Sequence, residues 1–437
     1  MSPSVSPRNT IAAWLFALVV VLVAASILFP HFPQWITGVL AWGACLLLMP
    51  NLPRRQLIMV WLLVVLGIAG IIWGMASGKQ GLINVALAQN IPLTGLLIAV
   101  SFLQLIAVRP ETASEPLKQG PKALAQTLAG VHLFGAVINF SAVAIFADRL
   151  SALKKLTLQQ AMALSQGFIV GATWSPFYGA MAAALIVSPD ASLGQLMVWG
   201  FMLAAIGLSI SWFTLTSKRH GEAKEFVGYP LHFESLWVPA VLAASVLLAH
   251  EWQPRWPVLA IIATFAPLVT IFTLFARDPL SAIPVLRQHV SRRLPLMNGE
   301  LSLFMAAGVL SAGMSGAIAA LELGLPFSRF GPLEAAIVLV LMNLLAWVGL
   351  HPVIMVSVLG PWLTPLDPDP NMLAMVFLMS WGVGLTSCPM SNTMLVMSGR
   401  YGLPFARLLN ENRRYSFKMT AVCVAALYVY AWVKGIG

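Results

Sequence analysis

Two short stretches of the chain combine the residue types needed to hold a small ion or solute inside a membrane. Val170-Gly171-Ala172-Thr173-Trp174-Ser175-Pro176 runs on to Met181, and Val383-Gly384-Leu385-Thr386-Ser387-Cys388-Pro389 runs on to Met394. Both read V-G-x-T-x-x-P-x-x-x-x-M. Proline removes a backbone donor and clashes with the preceding turn, which leaves carbonyls without partners. Such carbonyls are costly in hydrocarbon, so the break belongs where protein buries it or where it lines a wet cavity. Freed carbonyls and hydroxyls can coordinate a small cation, while the amino terminus of the next half-helix favours an anion. Gly171, Thr173, Ser175 and Pro176 are the candidates in the first stretch, and Thr386, Ser387, Cys388 and Pro389 in the second. Ser391, Asn392 and Thr393 follow the second break directly and put three polar groups on one turn. Either motif alone also fits a proline kink in an ordinary span; the symmetric pair is what argues for a site.

Other polar residues sit in apolar surroundings. Asn139 and Ser141, in the turn Asn139-Phe140-Ser141, suit a solute site or helix-to-helix hydrogen bonding. His351 and Pro352 close the helix-breaking stretch Gly349-Leu350-His351-Pro352, where the imidazole could meet a solute or cap the turn. His132 and Asn343 read as internally satisfied, and Glu322 and Glu334 as solvated at interfaces. No fixed basic residue falls among these candidates, and half-helix dipoles can hold an anion without one. Cys45, Cys388 and Cys423 form no CxxC pair and no metal-ligand spacing. The expected cofactor set is empty apart from a coupling ion, a sodium at the broken-helix loops with unassigned ligands or a proton.

The elements that position these residues follow from composition. Of 437 residues, 59% are hydrophobic and 9% charged, too few charges to cover a soluble domain of that size. Apolar runs such as Ile11 to Phe29, Gln56 to Gly74 and Pro257 to Phe275 are long enough to span a bilayer. The net charge of +10 resides in clusters between those runs (Arg54-Arg55, Lys218-Arg219, Arg413-Arg414), as in cytoplasmic loops under the positive-inside rule. No basic stretch is interleaved with a soluble fold, so nucleic acid is not an expected partner. The first run lacks an Ala-x-Ala cleavage site and reads as a retained span. Starting with Arg8 inside, the charges predict a multi-pass protein of the plasma (bacterial inner) membrane with a cytoplasmic amino terminus. They also place Arg109, Arg287, Arg292, Arg293, Arg407 and Arg413 in cytoplasmic loops, with a final span over Met419 to Val433.

Two segments defeat simple alternation. Ala123 to Phe146 is apolar enough to cross but is bounded on both sides by basic residues, Lys122 and then Arg149, Lys154 and Lys155. Leu333 to Leu363 is too long for one span. Both read as re-entrant hairpins, entering from opposite sides, and each is followed by one of the two motifs. The fold class is therefore an all-α polytopic membrane protein of about ten to eleven spans. It carries two inverted repeats, each a re-entrant hairpin followed by a broken helix. The expected division is 1–122 as N-terminal, scaffold-type spans; 123–216 as the first repeat core; 217–300 as connecting spans with a basic loop; and 301–437 as the second repeat core and final span.

The order of hairpin, Thr/Pro-broken helix, further spans, hairpin and Thr/Pro-broken helix resembles the ion transporter superfamily. That superfamily includes divalent anion/sodium symporters, arsenite permeases and sodium/proton antiporters of this fold. Leu385 to Tyr401, with Thr386, Pro389 and Ser398-Gly399 before Tyr401, is similar to the second broken helix of the divalent-anion symporters. The likeness covers the layout from Ala123 onward. Members of the anion type carry Ser-Asn-Thr at both hairpin tips and a double proline in the broken helices. Here the tips offer Asn139 with Ser141 and His351 with Pro352, each break has one proline, and Ser-Asn-Thr occurs at 391–393. The resemblance implies a scaffold subdomain and a moving transport subdomain, often in a homodimer, working by elevator-like alternating access.

The expected function is ion-coupled transport of a small anionic solute, a carboxylate or oxyanion, with no enzymatic activity. Sodium or protons would drive it, since the chain has no Walker A motif. A passive channel is the rival class, for which a continuous polar stripe would be the mark. A membrane-embedded enzyme acting on lipid would need facing clusters of His, Asp or Glu.

Overall fold

The structure is a computed structural model that describes residues 6–107, 117–152, 154–217, 223–229, 237–321, 324 and 327–436. Arg109, Lys218, Arg219 and Glu322, assigned above to loops or interfaces, lie outside the described residues. The chain is helical almost throughout. In order, the helices are α1 (Pro7–Ala25), α2 (Gln34–Leu48), α3 (Arg54–Ala76), α4 (Leu82–Ala88), α5 (Ile91–Ser101) and α6 (Gln104–Ala107). Then come α7 (Pro121–Ile138), α8 (Phe140–Ser151), α9 (Leu158–Ile169), α10 (Gly179–Val187), α11 (Leu193–Thr216), α12 (Trp237–Trp252) and α13 (Val258–Arg277). The last are α14 (Pro279–Gln288), α15 (Asn298–Ala320), α16 (Pro332–Trp347), α17 (Pro352–Leu363), α18 (Pro370–Gly384), α19 (Asn392–Gly399) and α20 (Phe405–Lys434). A two-residue antiparallel ribbon pairs β1 (Lys118–Gln119) with β2 (Val227–Gly228). Among the described residues, eight helical segments are long and apolar enough to cross a membrane, and three shorter apolar helices accompany them. The all-α polytopic class is therefore observed.

The chain forms two compact units. The first comprises Met1–Ile106, Ala240–Pro326 and Ser357–Trp362. Its seam is the packing of α3 on α15, where Gly67, Gly70 and Gly74 meet Val309, Gly313 and Gly316. A Cβ on Gly70 would sit 2.2 Å from the Gly313 oxygen. Small residues let two membrane helices approach at backbone distance, where dispersion replaces the hydrophobic drive that lipid does not supply. Polar ties run alongside. Lys79 Nζ donates to Ser315 O at 2.9 Å and Gln89 Nε2 to Ser311 Oγ at 2.7 Å. On the outer face of α3, Ile58, Leu62, Val65 and Ile72 are exposed, as a lipid-facing stripe requires.

The second unit comprises Ala107–Pro239, Phe327–Val356 and Leu363–Gly437, and it holds both motifs, the first hairpin and the second hairpin apart from Ser357–Trp362 of α17. In the first hairpin, α7 and α8 are joined by one residue, Asn139, at φ 52°. A non-glycine residue rarely adopts that left-handed region, and asparagine does so more readily than most. The turn is thus tighter than the expected Asn139-Phe140-Ser141: Phe140 and Ser141 already belong to the first turn of α8. In the second hairpin, α16 ends at Trp347 and α17 begins at Pro352, with Gly349 at φ 108° between them. Only glycine takes such a value without strain. Proline at the first position of α17 has no N–H to leave unpaired, so it starts that helix at little cost.

Two basic segments expected as loops are helical. Arg287 lies in α14, and Arg292 and Arg293 lie in a π-helical turn, His289–Arg293, that continues toward α15. Asp278 caps α14 by accepting from Leu280 N at 3.1 Å and Ser281 N at 3.4 Å, and the Ser281 hydroxyl first, then these backbone bonds, hold its carboxyl below its ordinary pKa. Likewise α20 begins at Phe405 and runs 30 residues, so Arg407, Arg413 and Arg414 ride on it. Charge marks the membrane boundary; it does not stop a helix whose charged face meets water or a polar partner.

Candidate functional site

Both motifs break their helices at matching places. After α9, Val170–Thr173 narrows to a 3-10 turn and the chain runs irregularly through Trp174 to Tyr178 before α10. After α18, Leu385–Ser387 does the same and the chain runs through Cys388 to Ser391 before α19. In each, the new helix opens nine residues after the motif valine, at Gly179 and at Asn392. The two interrupted helices touch at the breaks. A Cβ on Gly382 would lie 2.5 Å from Thr173 Cγ2.

Each break faces its own hairpin tip. At the first, Asn139 Nδ2 donates to Phe177 O at 3.0 Å, and Ser175 Oγ donates to Ala136 O while accepting from Phe177 N at 3.2 Å. Thr173 Oγ1 donates within reach of Val170 O at 2.8 Å and Gly200 O at 2.9 Å, and Tyr178 OH returns to Phe168 O at 2.7 Å. Gly171 lies under the Tyr178 ring; a Cβ there would be 3.2 Å from the phenol oxygen. Pro176 is buried beside Ser175. His132 is fully used: Trp174 Nε1, which can only donate, lies 3.1 Å from Nε2. The proton is therefore on Nδ1, 3.0 Å from Gly167 O. Ser141, on α8, is half-buried.

At the second, Gly349 packs on Met390, with a would-be Cβ 3.4 Å away, and Cys388 Sγ faces Leu350 O at 4.0 Å. His351 Nδ1 accepts from Val353 N at 3.2 Å and caps α17, and the ring stands edge-on to Trp381 with centroids 5.4 Å apart. Of the two roles open to His351, the cap is the one the geometry displays, with Pro352 buried behind it. Ser387 Oγ donates to Gly384 O at 3.3 Å, and Ser391 caps α19 by accepting from Met394 N at 3.3 Å. Thr393 is buried, Asn392 is exposed and Pro389 is half-buried. Thr386 stands apart. It is fully buried and its Oγ1 has no hydrogen-bond partner.

A second buried oxygen without a partner, Asn343 Oδ1, lies nearby on α16. A Cβ on Gly384, two residues before Thr386, would be 3.1 Å from it. Asn343 Nδ2 donates to Thr420 Oγ1 at 2.9 Å, and one helical turn away Trp347 Nε1 donates to Ser416 Oγ at 3.2 Å. Arg413 Nη2 completes the ladder on Trp347 O at 2.7 Å. Arg413 thus meets the end of the second hairpin's first arm, a contact the reading of the sequence did not assign. The signal was the spacing of Arg413, Ser416 and Thr420, which share one helix face; reading Arg413 as a loop residue hid it. Nearby, buried Gln166 donates to Asn412 Oδ1 at 3.1 Å and accepts from Ser211 Oγ at 2.9 Å, so α9, α11 and α20 are joined by a satisfied polar network.

At the far ends of the hairpin and break, Arg400 pairs with Asp148 at 2.8 Å, and Tyr401 OH donates to the same carboxylate at 2.7 Å. Burial, with the Asp148 carboxylate second, holds the Tyr401 phenol above its ordinary pKa and keeps it a donor. Among the described residues no cluster of three or more His, Cys, Asp or Glu could hold a transition metal. At the second break the open groups are neutral hydroxyl and amide oxygens, which are hard donors.

No family model matches the chain, and no curated protein matches it. Among solved structures, the crystal structure of the Alcanivorax borkumensis YdaH transporter aligns over 98% of this chain and 99% of that one, at 14% identity and a TM-score of 0.38.

Proposed function

We propose that the chain is an ion-coupled secondary transporter of a small anionic solute, a carboxylate or oxyanion, and that sodium is the coupling ion. The observation that carries this reading is the pair of buried, unpartnered oxygens at the second break, Thr386 Oγ1 and Asn343 Oδ1. Leaving such a group unpaired costs on the order of 1–3 kcal/mol each, a cost that a bound cation removes. Proton coupling has less support, because no Asp or Glu is among the buried polar residues described and both nitrogens of His132 are engaged. The solute's negative charge would be met by the amino termini of α10 and α19, which open on the two break loops. The second unit, holding both hairpin tips and both breaks, is the moving part in this reading. The first, with its glycine-packed α3 and α15, is the frame, and the protein works as a homodimer in the bacterial inner membrane.

The test is thermal stabilisation of purified full-length protein in sodium against potassium, with dicarboxylates, oxyanions, sulfonates and amino acids added in turn. Sodium raises the melting temperature of the wild type, and one anion class raises it further only when sodium is present. The reading fails if the wild type melts identically in both salts with every solute, or if Thr386→Val keeps the full sodium shift.

A further inference from the structure

At one end of the second unit a cavity of about 680 Å³ opens between the last turn of α11, the end of α16 and the middle of α20. Three cations line it, Arg413, Arg414 and Lys418, against a single carboxylate, Glu411. Glu411 is already paired with Arg414. Arg413 spends one nitrogen on Trp347 O, and its Nε is buried without a partner. Lys418 Nζ has one long contact, 3.4 Å to Thr214 Oγ1. The cavity therefore carries two positive charges more than its own residues neutralise.

Its rim is apolar. Phe213 is 68% exposed and Phe417 67%. Each continues a stripe of exposed apolar side chains along its helix, Val198, Phe201 and Ile206 on α11, and Tyr428 and Trp432 on α20. Such stripes face acyl chains. The spanning part of α11 stops at Thr216, and its basic end is the cytoplasmic one by the positive-inside rule. A ligand for this place has a compact anionic head for the guanidinium and ammonium groups and a hydrocarbon tail that leaves between Phe213 and Phe417.

We propose that this cavity binds the phosphate of an anionic phospholipid from the cytoplasmic leaflet. Basic pockets between membrane helices on that side select anionic headgroups, and Arg matches phosphate oxygens with two donors at once. Because Arg413 also holds the carbonyl end of α16, the headgroup binds to the residue that anchors the second hairpin. The inference stands on the cavity and is independent of the coupling ion proposed above.

The same phosphate chemistry could arrive as a soluble anion, so the test separates the two sources. Full-length protein is exchanged into mixed micelles containing equal phosphatidylglycerol and phosphatidylcholine with the same acyl chains, and retained lipid is counted by native mass spectrometry. The wild type retains phosphatidylglycerol in preference, Lys418→Gln lowers that preference about fivefold, the factor one basic side chain contributes, and Arg413→Gln with Lys418→Gln brings it to parity. Arg55→Gln, an exposed charge in the first unit, leaves it unchanged. Lys418 is exposed and lightly bonded, so its variant reports even where the Arg413 change prevents folding. Equal retention of both lipids by the wild type, or an undiminished preference in Lys418→Gln, overturns the proposal. Displacement of phosphatidylglycerol by millimolar glycerol 3-phosphate also overturns it and assigns the cavity to a soluble anion.

Discussion

The two breaks have the same motif and the same spacing, yet their threonines are in opposite states. At the first, Thr173, Ser175, Tyr178 and Asn139 all find acceptors within the same unit, so the loop is fixed to α11 and to its hairpin. At the second, Cys388 stands where the first has Ser175, and the equivalent threonine, Thr386, has no partner. Neutral groups that satisfy one another rigidify a core, whereas a buried group left open costs free energy. The difference separates a break closed by its own hydrogen bonds from one that leaves buried oxygens open, to which the proposal above assigns an ion.

That contrast can be broken at several points, the largest effect first. Gly200→Ala puts a Cβ 2.0 Å from Thr173 O, against backbone that cannot yield. Overpacking of this kind costs about 3 kcal/mol or more, so the variant is expected to be lost from the folded fraction in fluorescence size-exclusion. A Gly200→Ala protein with wild-type elution and melting would show the first break to be loose. Thr386→Val is expected to melt near the wild type in potassium, because an unpaired hydroxyl is exchanged for a methyl. It should lose the sodium-dependent stabilisation, about 2.7 kcal/mol at a hundredfold excess over the dissociation constant.

Thr173→Val, the same substitution at the other break, should behave oppositely. Removing its hydroxyl takes the donor from Gly200 O and costs roughly 1–3 kcal/mol, seen as a lower melting temperature with the sodium shift retained. If the Thr173 and Thr386 variants exchange these phenotypes, the assignment of the two breaks is reversed. The smallest effect is expected at Asp148→Asn. Its pairing with Arg400 joins side chains that are 49% and 58% exposed, and such pairs contribute about 0–1 kcal/mol. A melting change beyond that range, or one insensitive to salt, would mean that the contact with Tyr401 and Arg400 is a latch and more than a solvated pair.

Much of this was legible from local chemistry. Proline and glycine at 176, 389, 349 and 352 announced both breaks and the second hairpin, because a residue's effect on its own helix needs no distant partner; the first hairpin followed from the basic residues on both sides of Ala123 to Phe146. The exact turn at Asn139 was less legible, since a single left-handed residue suffices where three polar-flanked residues also would. The basic loops were misread at 287–293 and 405–414, because charge and helix are compatible wherever one face meets water or a polar acceptor.

The sequence by itself determined a membrane protein with two helix-breaking motifs, each preceded by a hairpin, from hydropathy and from residues that cannot continue a helix. Only the tertiary structure decided that the two threonines differ. The acceptor of Thr173 is Gly200 O, 27 residues along the chain. The open oxygen near Thr386 belongs to Asn343 on another helix. Hydrogen-bond satisfaction is a property of neighbours in space, so the same residue at the same place in two similar motifs is bonded in one and left open in the other once the helices pack.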